Sequence, residues 1–144
     1  MCSLLLYACT ADKKGVSNTR LQLSHKDSLQ VIEKSLVKFL MTAEYPKSYR
    51  SGPLQIFHSE VVRLDSTLNL SGNPYVLLLK GFDIHAYMQK IDIYNPIPYA
   101  EIVEFKVSQN RVTCMIIFRG SGQIYETFLN DKLMIDSVSA DGQI

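Results

Sequence analysis

The sequence lacks long apolar runs and an excess of charge of either sign. Its apolar stretches, such as residues 76–79 and 115–118, are far shorter than the ~20 residues that span a bilayer as a helix. Lysine and arginine total 15 against 14 acidic residues. No broad basic field therefore supports a nucleic-acid partner.

Cysteine is also scarce. Cys2, Cys9 and Cys114 form no CxxC pair and have no metal-ligand spacing with the three histidines. Cys114 lies inside an apolar alternation, which indicates a small buried hydrophobe. No P-loop, dinucleotide fingerprint, nucleophile elbow or metalloprotease helix is present. A chain of 144 residues can bury enough surface to need no metal or disulfide staple. No cofactor is predicted, since no cofactor-binding motif is present.

The composition divides the chain into a leader and one domain. Residues 1–20 are expected to be a lipoprotein-signal remnant followed by a polar tether, and residues 21–144 a single α+β domain. The domain is predicted to have an N-terminal amphipathic helix packed on an antiparallel β-meander sheet of about four to six strands.

The first periodic segment predicts a helix over residues 27–43. Apolar side chains recur there at three- and four-residue spacing, with lysines on the other face. Asp27 or Ser28 is suited to cap its start, because a short side-chain oxygen accepts from the unpaired amides of the first turn. Pro46 cannot continue the helix.

The rest of the chain indicates strands. Residues 54–65 favour one or two extended pieces, and residues 75–80 are compatible with either a short helix or a strand. Alternation of apolar and polar side chains predicts a half-buried strand over 82–88. Closely spaced alternating runs then predict the antiparallel meander. These runs are residues 103–107, 112–118, 123–129 and 133–138.

Asp83, His85 and Tyr87 share one face of the strand predicted for this segment. Carboxylate, imidazole and phenol side by side are groups that transfer protons. The apolar face of the strand should meet the helix, so the polar trio is expected to face solvent, a partner or a ligand. His58 and Glu60 could join His85 only through generic spacing, so no metal site is predicted.

Tyrosines near two bends of the chain are candidates for a contacting aromatic rim. Tyr45 and Tyr49 flank the expected helix exit, and Tyr94 and Tyr99 flank a proline-rich turn. Tyrosine is favoured at interfaces because its ring is apolar and its hydroxyl is hydrated. Packing within the sheet and at its rim is the alternative role for these residues.

The C-terminal stretch RVTCMIIFRGSGQIYETFLNDKLMIDSVSADG resembles the closing strands of cystatin-like (NTF2-like) α+β domains. In those domains one strand ends in a glycine-containing turn and the next carries an aromatic residue. The last reads roughly Lys-x-x-Ile-Asp-Ser, here residues 132–137. The resemblance implies a helix lying over a sheet, with chemistry in the intervening pocket of some family members.

The stretches FLMTAEYPKSYRS and FDIHAYMQKIDIYN are similar to small uncharacterised lipoproteins of Bacteroidetes-type bacteria. Those proteins pair a helix ending near Pro-x-Ser-Tyr with a later His-x-Tyr strand. The matching residues here are Pro46, Ser48, Tyr49, His85 and Tyr87. This resemblance implies a place in the cell envelope and supplies no catalytic residue.

The opening MCSLLLYACTAD bears on location. Residues 6–9, Leu-Tyr-Ala-Cys, have the shape of a lipoprotein cleavage site, and a polar segment follows. The apolar stretch before Cys9 is shorter than the about 7–15 residues of a signal, and no basic residue precedes it. One interpretation is a signal that starts upstream, with Cys9 lipidated in an envelope protein. The other is a short structural element of a cytoplasmic protein.

These observations leave several classes of function open. The favoured one is an envelope-associated, non-enzymatic module that binds an unknown protein or small ligand, and that meets the membrane only through Cys9. A small cystatin-like enzyme of the isomerase or dehydratase type is the alternative, and it needs ionisable groups in a helix–sheet cavity. A cytosolic protein that neutralises another protein, as immunity proteins do, is the third. Alternating apolar residues where the sheet should meet the helix favour the binding module.

Overall fold

The computed structural model describes residues 21–42, 52–78, 80–83, 85–86, 99–119 and 122–141. The predicted tether over 1–20 lies outside them. Within the described part, one helix precedes six strands, which are α1 (His25–Leu40), β1 (Leu54–Phe57), β2 (Tyr75–Leu78), β3 (Tyr99–Val107), β4 (Arg111–Phe118), β5 (Gln123–Asn130) and β6 (Ile135–Asp141).

The six strands form one mixed sheet in the order β2-β1-β3-β4-β5-β6. Strands β3 to β6 are antiparallel neighbours, as the meander pattern predicts. Strand β1, however, runs parallel to both β2 and β3. The prediction of a purely antiparallel sheet is therefore wrong, although the α+β class is confirmed and the strand number agrees. The long segments after β1 and β2 make this possible, because parallel neighbours cannot be joined by a tight hairpin.

Ser24 begins the helix through a capping box. The Asp27 amide donates to the Ser24 hydroxyl at 3.1 Å, and the Ser24 amide donates to the Asp27 carboxylate at 3.0 Å. This reciprocal pair satisfies two amides that helical bonding leaves open. The cap is thus Ser24 rather than Asp27 or Ser28. The helix ends at Leu40, before the predicted end, with Met41 as its C-cap.

Two ambiguous segments are resolved by strand pairing. Residues 75–80 contribute a strand, Tyr75–Leu78, rather than a helix. Of the expected extended pieces over 54–65, only Leu54–Phe57 is a strand. The two strands pair along their whole length, from Leu54 opposite Tyr75 to Phe57 opposite Leu78.

The strand predicted over 82–88 is wrong where the structure describes it. His85 and Ala86 have helical backbone conformation. The Asp83 side chain accepts a hydrogen bond from the Ala86 amide at 2.9 Å, which closes a local turn. Aspartate favours such turns because its short side chain competes for backbone donors. Alternation of apolar residues is therefore outweighed here by local capping.

Helix α1 packs over the centre of the sheet, against β4 and β5. Val31, Ile32 and Leu36 of the helix are 0% exposed. The alternate side chains of β4 that face them are also buried, and they include Cys114, as predicted. Complete burial of each large aliphatic side chain contributes roughly 1.5–3 kcal/mol. Apolar packing therefore fills the layer between helix and sheet.

Candidate functional site

Five of the predicted site residues lie outside the described part of the chain. Asp83 and His85, the two described members of the predicted polar trio, are exposed. Tyr99, the described tyrosine of the predicted rim, is buried. The residues outside the described ranges are Tyr45, Tyr49, Tyr87, Tyr94 and Cys9, which was predicted to be lipidated.

Asp83 and His85 are both exposed, and they lie in a turn rather than a strand. Asp83 Oδ1 is engaged by the Ala86 amide at 2.9 Å. Residues two apart do not face the same side in helical conformation, whereas they would in a strand. Asp83 and His85 therefore do not share the strand face on which the sequence pattern placed them together.

Tyr99 packs in an aromatic cluster on the sheet face opposite the helix. Its side chain is 2% exposed and meets Phe57 edge-on, with ring centroids 4.9 Å apart. Phe57 lies in turn 6.1 Å from the ring of Phe82. Leu54 and Ile56 belong to the hydrophobic core that includes the helix residues, so the alternation of β1 directs Phe57 to the other face. Phe82, 40% exposed, is where this cluster reaches the surface.

A cleft of about 200 Å³ opens at the carboxyl ends of β1 and β2. Because these strands are parallel, the residues that follow them lie at the same end of the sheet. Gly81, with φ +91, allows the chain to turn after β2. Apolar and charged side chains both line the cleft: Phe57, Leu78 and Phe82, then His58, Glu60, Lys80 and Glu101.

Charges of both signs surround the mouth of this cleft. Glu60 lies 3.5 Å from His58 Nε2 and 3.6 Å from Lys80 Nζ. These pairs are weak, because the Glu60 and Lys80 side chains are each 75% exposed. Glu101 is held more firmly, by Arg119 Nε at 2.9 Å and Nη2 at 2.8 Å. The described residues contain no cluster of three metal-ligating side chains.

Strand β2 ends the sheet and presents backbone groups at its outer edge. The Leu54 amide donates to the Pro74 carbonyl at 3.0 Å, and the His58 amide donates to the Leu78 carbonyl at 2.8 Å, so these two carbonyls point towards β1. Backbone groups of alternate residues point to the same side of a strand, so those of Tyr75 and Leu77 point away from β1. No strand in the described ranges pairs with this outer edge.

An apolar strip leads along β2 to the cleft. Val76 is 43% exposed and lies on the face that carries Phe57, since Gln55 pairs with Val76 and Phe57 with Leu78. Leu78 and Phe82 continue this strip into the cleft. The sequence pattern did not indicate this site, because its strand assignment at 75–80 was open.

The layer between helix and sheet holds polar groups that are bonded to one another or to the backbone. Ser35 Oγ lies 2.8 Å from the Val31 carbonyl and 2.5 Å from Thr127 Oγ1. Thr127 Oγ1 is also 3.2 Å from the Cys114 carbonyl. Burial raises the pKa of the Cys114 thiol to about 12, which keeps it protonated. These described groups supply no acid–base pair of the kind that the enzyme alternative requires.

A second polar cluster joins the helix start to the loop after β1. His25 Nε2 lies 2.6 Å from Asp65 Oδ2, and the Thr67 amide donates to Asp65 Oδ1 at 2.9 Å. The contact with His25, followed by those with Thr67, lowers the pKa of Asp65 well below its usual range. Glu33 further accepts from the Asn69 amide at 2.6 Å. No local sequence pattern links these residues, because His25 and Asp65 are 40 positions apart.

No helix in the described ranges is long and apolar enough to cross a membrane. Comparison of the chain with protein-family models, with curated proteins and with solved structures finds no match.

Proposed function

We propose that this chain is a non-enzymatic binding module that pairs with an extended segment of a protein partner along the outer edge of β2. The observation that carries the proposal is the outward direction of the Tyr75 and Leu77 backbone groups beside the exposed Val76 side chain. A row of open amide and carbonyl groups is complementary to another extended backbone.

The volume and lining of the cleft at the end of β2 favour a side chain of the partner, rather than a separate small molecule, as its occupant. Its volume of about 200 Å³ is below the roughly 300–1,000 Å³ of pockets that enclose small ligands. Phe57, Leu78 and Phe82 offer it an apolar wall. The partner segment is therefore expected to place apolar side chains at alternate positions, one beside Val76 and one in the cleft.

Charge at the site is balanced. Lys80 is paired with Glu60, and Glu101 is paired with Arg119. The whole chain has a formal net charge of only +1 at pH 7. Such a surface has no field to attract a polyanion, so a protein segment is favoured over nucleic acid.

Packing in the helix–sheet layer supports binding over catalysis. Val31, Ile32 and Leu36 are fully buried there, and the hydroxyls of Ser35 and Thr127 lie within hydrogen-bonding distance of each other. A cystatin-like enzyme would need ionisable groups aimed into an enclosed apolar pocket at this place. No second function is proposed, since no observation favours one.

For location, we propose attachment to the cell envelope through a lipid on Cys9. The support is the Leu-Tyr-Ala-Cys run at residues 6–9 and the polar segment after it. The test is the mass of the native N-terminus, with cell fractionation of the wild type and Cys9→Ser. Retention of Met1, or membrane association of Cys9→Ser equal to that of the wild type, would refute the anchor.

A random-peptide phage library tests the proposed strand pairing. We expect the protein to select segments with apolar residues at alternate positions. A synthetic peptide of the selected sequence should bind the wild type, as measured by fluorescence polarisation. Binding should weaken at least tenfold in Val76→Lys and in Phe82→Ala. Amide hydrogen exchange at Tyr75 and Leu77 should slow when the peptide is present.

Met41→Lys is the matched control, because it places a lysine at an apolar side chain that is 77% exposed at the helix end. It should bind the peptide as the wild type does. Selection of no peptide, or binding that Val76→Lys leaves unchanged, would overturn the proposal.

A further inference from the structure

Strand β2 is joined to helix α1 by residues 65–70, here called the strap. We infer that the strap positions the outer edge of β2 for its partner and transmits the hold of α1 to that edge. The inference rests on the proposed function, because it concerns how the same edge is kept in place. Of the described helix and strands, only β1 packs extensively against β2, which is four residues long. A short strand with few packing partners opens easily, so a second attachment matters.

A tight turn connects the strap to β2. The Asn73 amide donates to the Leu70 carbonyl at 3.0 Å, and Asn73 Nδ2 donates to the same oxygen at 2.7 Å. Between them, Ser71 and Gly72 have φ values of 53° and 83°, positive as at the two central residues of a type I′ turn. This closed turn leaves little freedom between the strap and the strand, so the two move together.

The Tyr75 side chain makes a second link between the strap and β2. Tyr75 is the first residue of β2, lies opposite Leu54 and packs against the core. Its hydroxyl donates to the carbonyl of Leu68 in the strap. The backbone groups of Tyr75 are among those that point away from β1. A bond that fixes its side chain therefore also fixes the direction of these open groups.

Helix α1 holds the strap in turn. Leu68 and Leu70 are 4% and 1% exposed, and they belong to the core that contains the buried helix residues. Between these two leucines, the Asn69 amide donates to the Glu33 carboxylate of α1 at 2.6 Å. The contact of His25 with the first residue of the strap adds a further hold. A continuous series of contacts thus runs from the helix through the strap to the start of β2.

This arrangement lowers the cost of pairing with a partner strand. A partner pairs only with molecules in which β2 is in place, so its apparent dissociation constant rises as that fraction falls. Glu33 and Tyr75 are therefore positioning residues for the edge. Neither side chain is among those that line the cleft. Their truncation should weaken pairing without removing a side chain that contacts the partner.

Tyr75→Phe and Glu33→Ala test the two ends of this series of contacts. Tyr75→Phe keeps the ring and loses only the hydroxyl, and Glu33→Ala keeps a good helix former but loses the acceptor. In fluorescence polarisation, the dissociation constant of the selected peptide should rise about three- to tenfold in each variant, as for the loss of one hydrogen bond. Glu33→Gln retains an oxygen acceptor and should restore most of the wild-type affinity.

Thr127→Val is the matched control for a loss of stability away from the strap. It removes a buried hydroxyl near the Cys114 carbonyl and should lower the free energy of unfolding to a similar extent. It should bind the peptide as the wild type does. The Val76 amide points towards β1, so its hydrogen exchange without peptide reports on the pairing of β2. This exchange should be faster in Tyr75→Phe and Glu33→Ala than in the wild type and Thr127→Val.

The outcomes separate this inference from the proposed function. Binding that is weakened by Val76→Lys but unchanged in Tyr75→Phe and Glu33→Ala would overturn the role of the strap and leave the proposed function standing. Exchange at Val76 equal to that of the wild type in both variants would also overturn it, as would equal weakening in Thr127→Val. A wild type that selects no peptide would overturn the proposed function and this inference with it.

Discussion

The ring of Phe39, in the last turn of α1, lies stacked on the ring of Phe118 at the end of β4. Their centroids are 3.6 Å apart and their planes are inclined by 13°. Tyr125 of β5 meets Phe39 edge-on, with centroids 4.9 Å apart. These three rings hold the end of the helix against the central strands, and all three are almost completely buried.

Phe39→Ala should destabilise the fold by about 3–5 kcal/mol, because it removes a buried ring and leaves a cavity that neighbouring side chains fill only partly. Urea unfolding followed by circular dichroism measures the free energy of unfolding. Met41→Ala, at a side chain 77% exposed two residues further on, should change it by less than about 0.5 kcal/mol. Equal effects of both substitutions would contradict this account of the ring cluster.

The hydroxyls of Ser35 and Thr127 join the helix to the sheet inside the core. Each also lies near a backbone carbonyl, so Ser35→Ala or Thr127→Val should each cost only about 1 kcal/mol. The double variant should cost less than the sum of the singles, because each single change already loses the shared contact. A double-mutant cycle of unfolding free energies measures this coupling. Strict additivity would show that the two hydroxyls do not interact.

Asp65 should make the stability of the protein fall in acid. Its pKa in the fold is lowered from the ordinary 3.8, through His25 first and then Thr67. A lowered carboxyl pKa stabilises the fold above the unfolded value, and this contribution is lost as pH falls through and below it. The urea midpoint of the wild type should therefore decrease below about pH 4–5.

Asp65→Asn should lower the urea midpoint at neutral pH and flatten its decline in acid. His25→Ala should act in the same direction, because it removes the largest cause of the shifted pKa. Asp131→Asn, at an exposed aspartate in the β5–β6 turn, serves as the control. An acid decline as steep in Asp65→Asn as in Asp131→Asn would count against the role of Asp65.

Cys114 should resist alkylation while the protein is folded. Its thiol is fully buried with a pKa of about 12, so it is neither accessible nor ionised near pH 8. Treatment with iodoacetamide and peptide mass mapping should show residue 114 unmodified in the native protein and modified in guanidinium chloride. Equal modification in both conditions would contradict its placement in the core.

The sequence predicts secondary structure best where a periodic pattern of apolar residues places one face of a helix or strand in the core. The helix is predicted because one side of it is apolar, and β4 and β5 because their alternate residues are buried under that helix. The assignment of Phe82 and the residues after it failed because Asp83 caps a turn, which alternation does not report.

The candidate site was hidden from the sequence for a related reason. Val76 shares a sheet face with Phe57 because β2 pairs with β1, and Phe82 lines the cleft beside Phe57 after the chain turns at Gly81. The sequence patterns gave neither residue a role in binding. Of the residues that the sequence did single out, Tyr99 proves to be buried beside Phe57.

The sequence by itself determined the α+β class, the position of the amphipathic helix and the meander from β3 to β6. Each of these depends on contacts between neighbours in the chain, and a local pattern of apolar residues records them. Only the tertiary structure decided that β1 lies parallel between β2 and β3, that β2 and β6 form the edges, and that His25 meets Asp65. Those outcomes depend on which distant segments pair, and pairing across long separations leaves no periodic trace in the sequence.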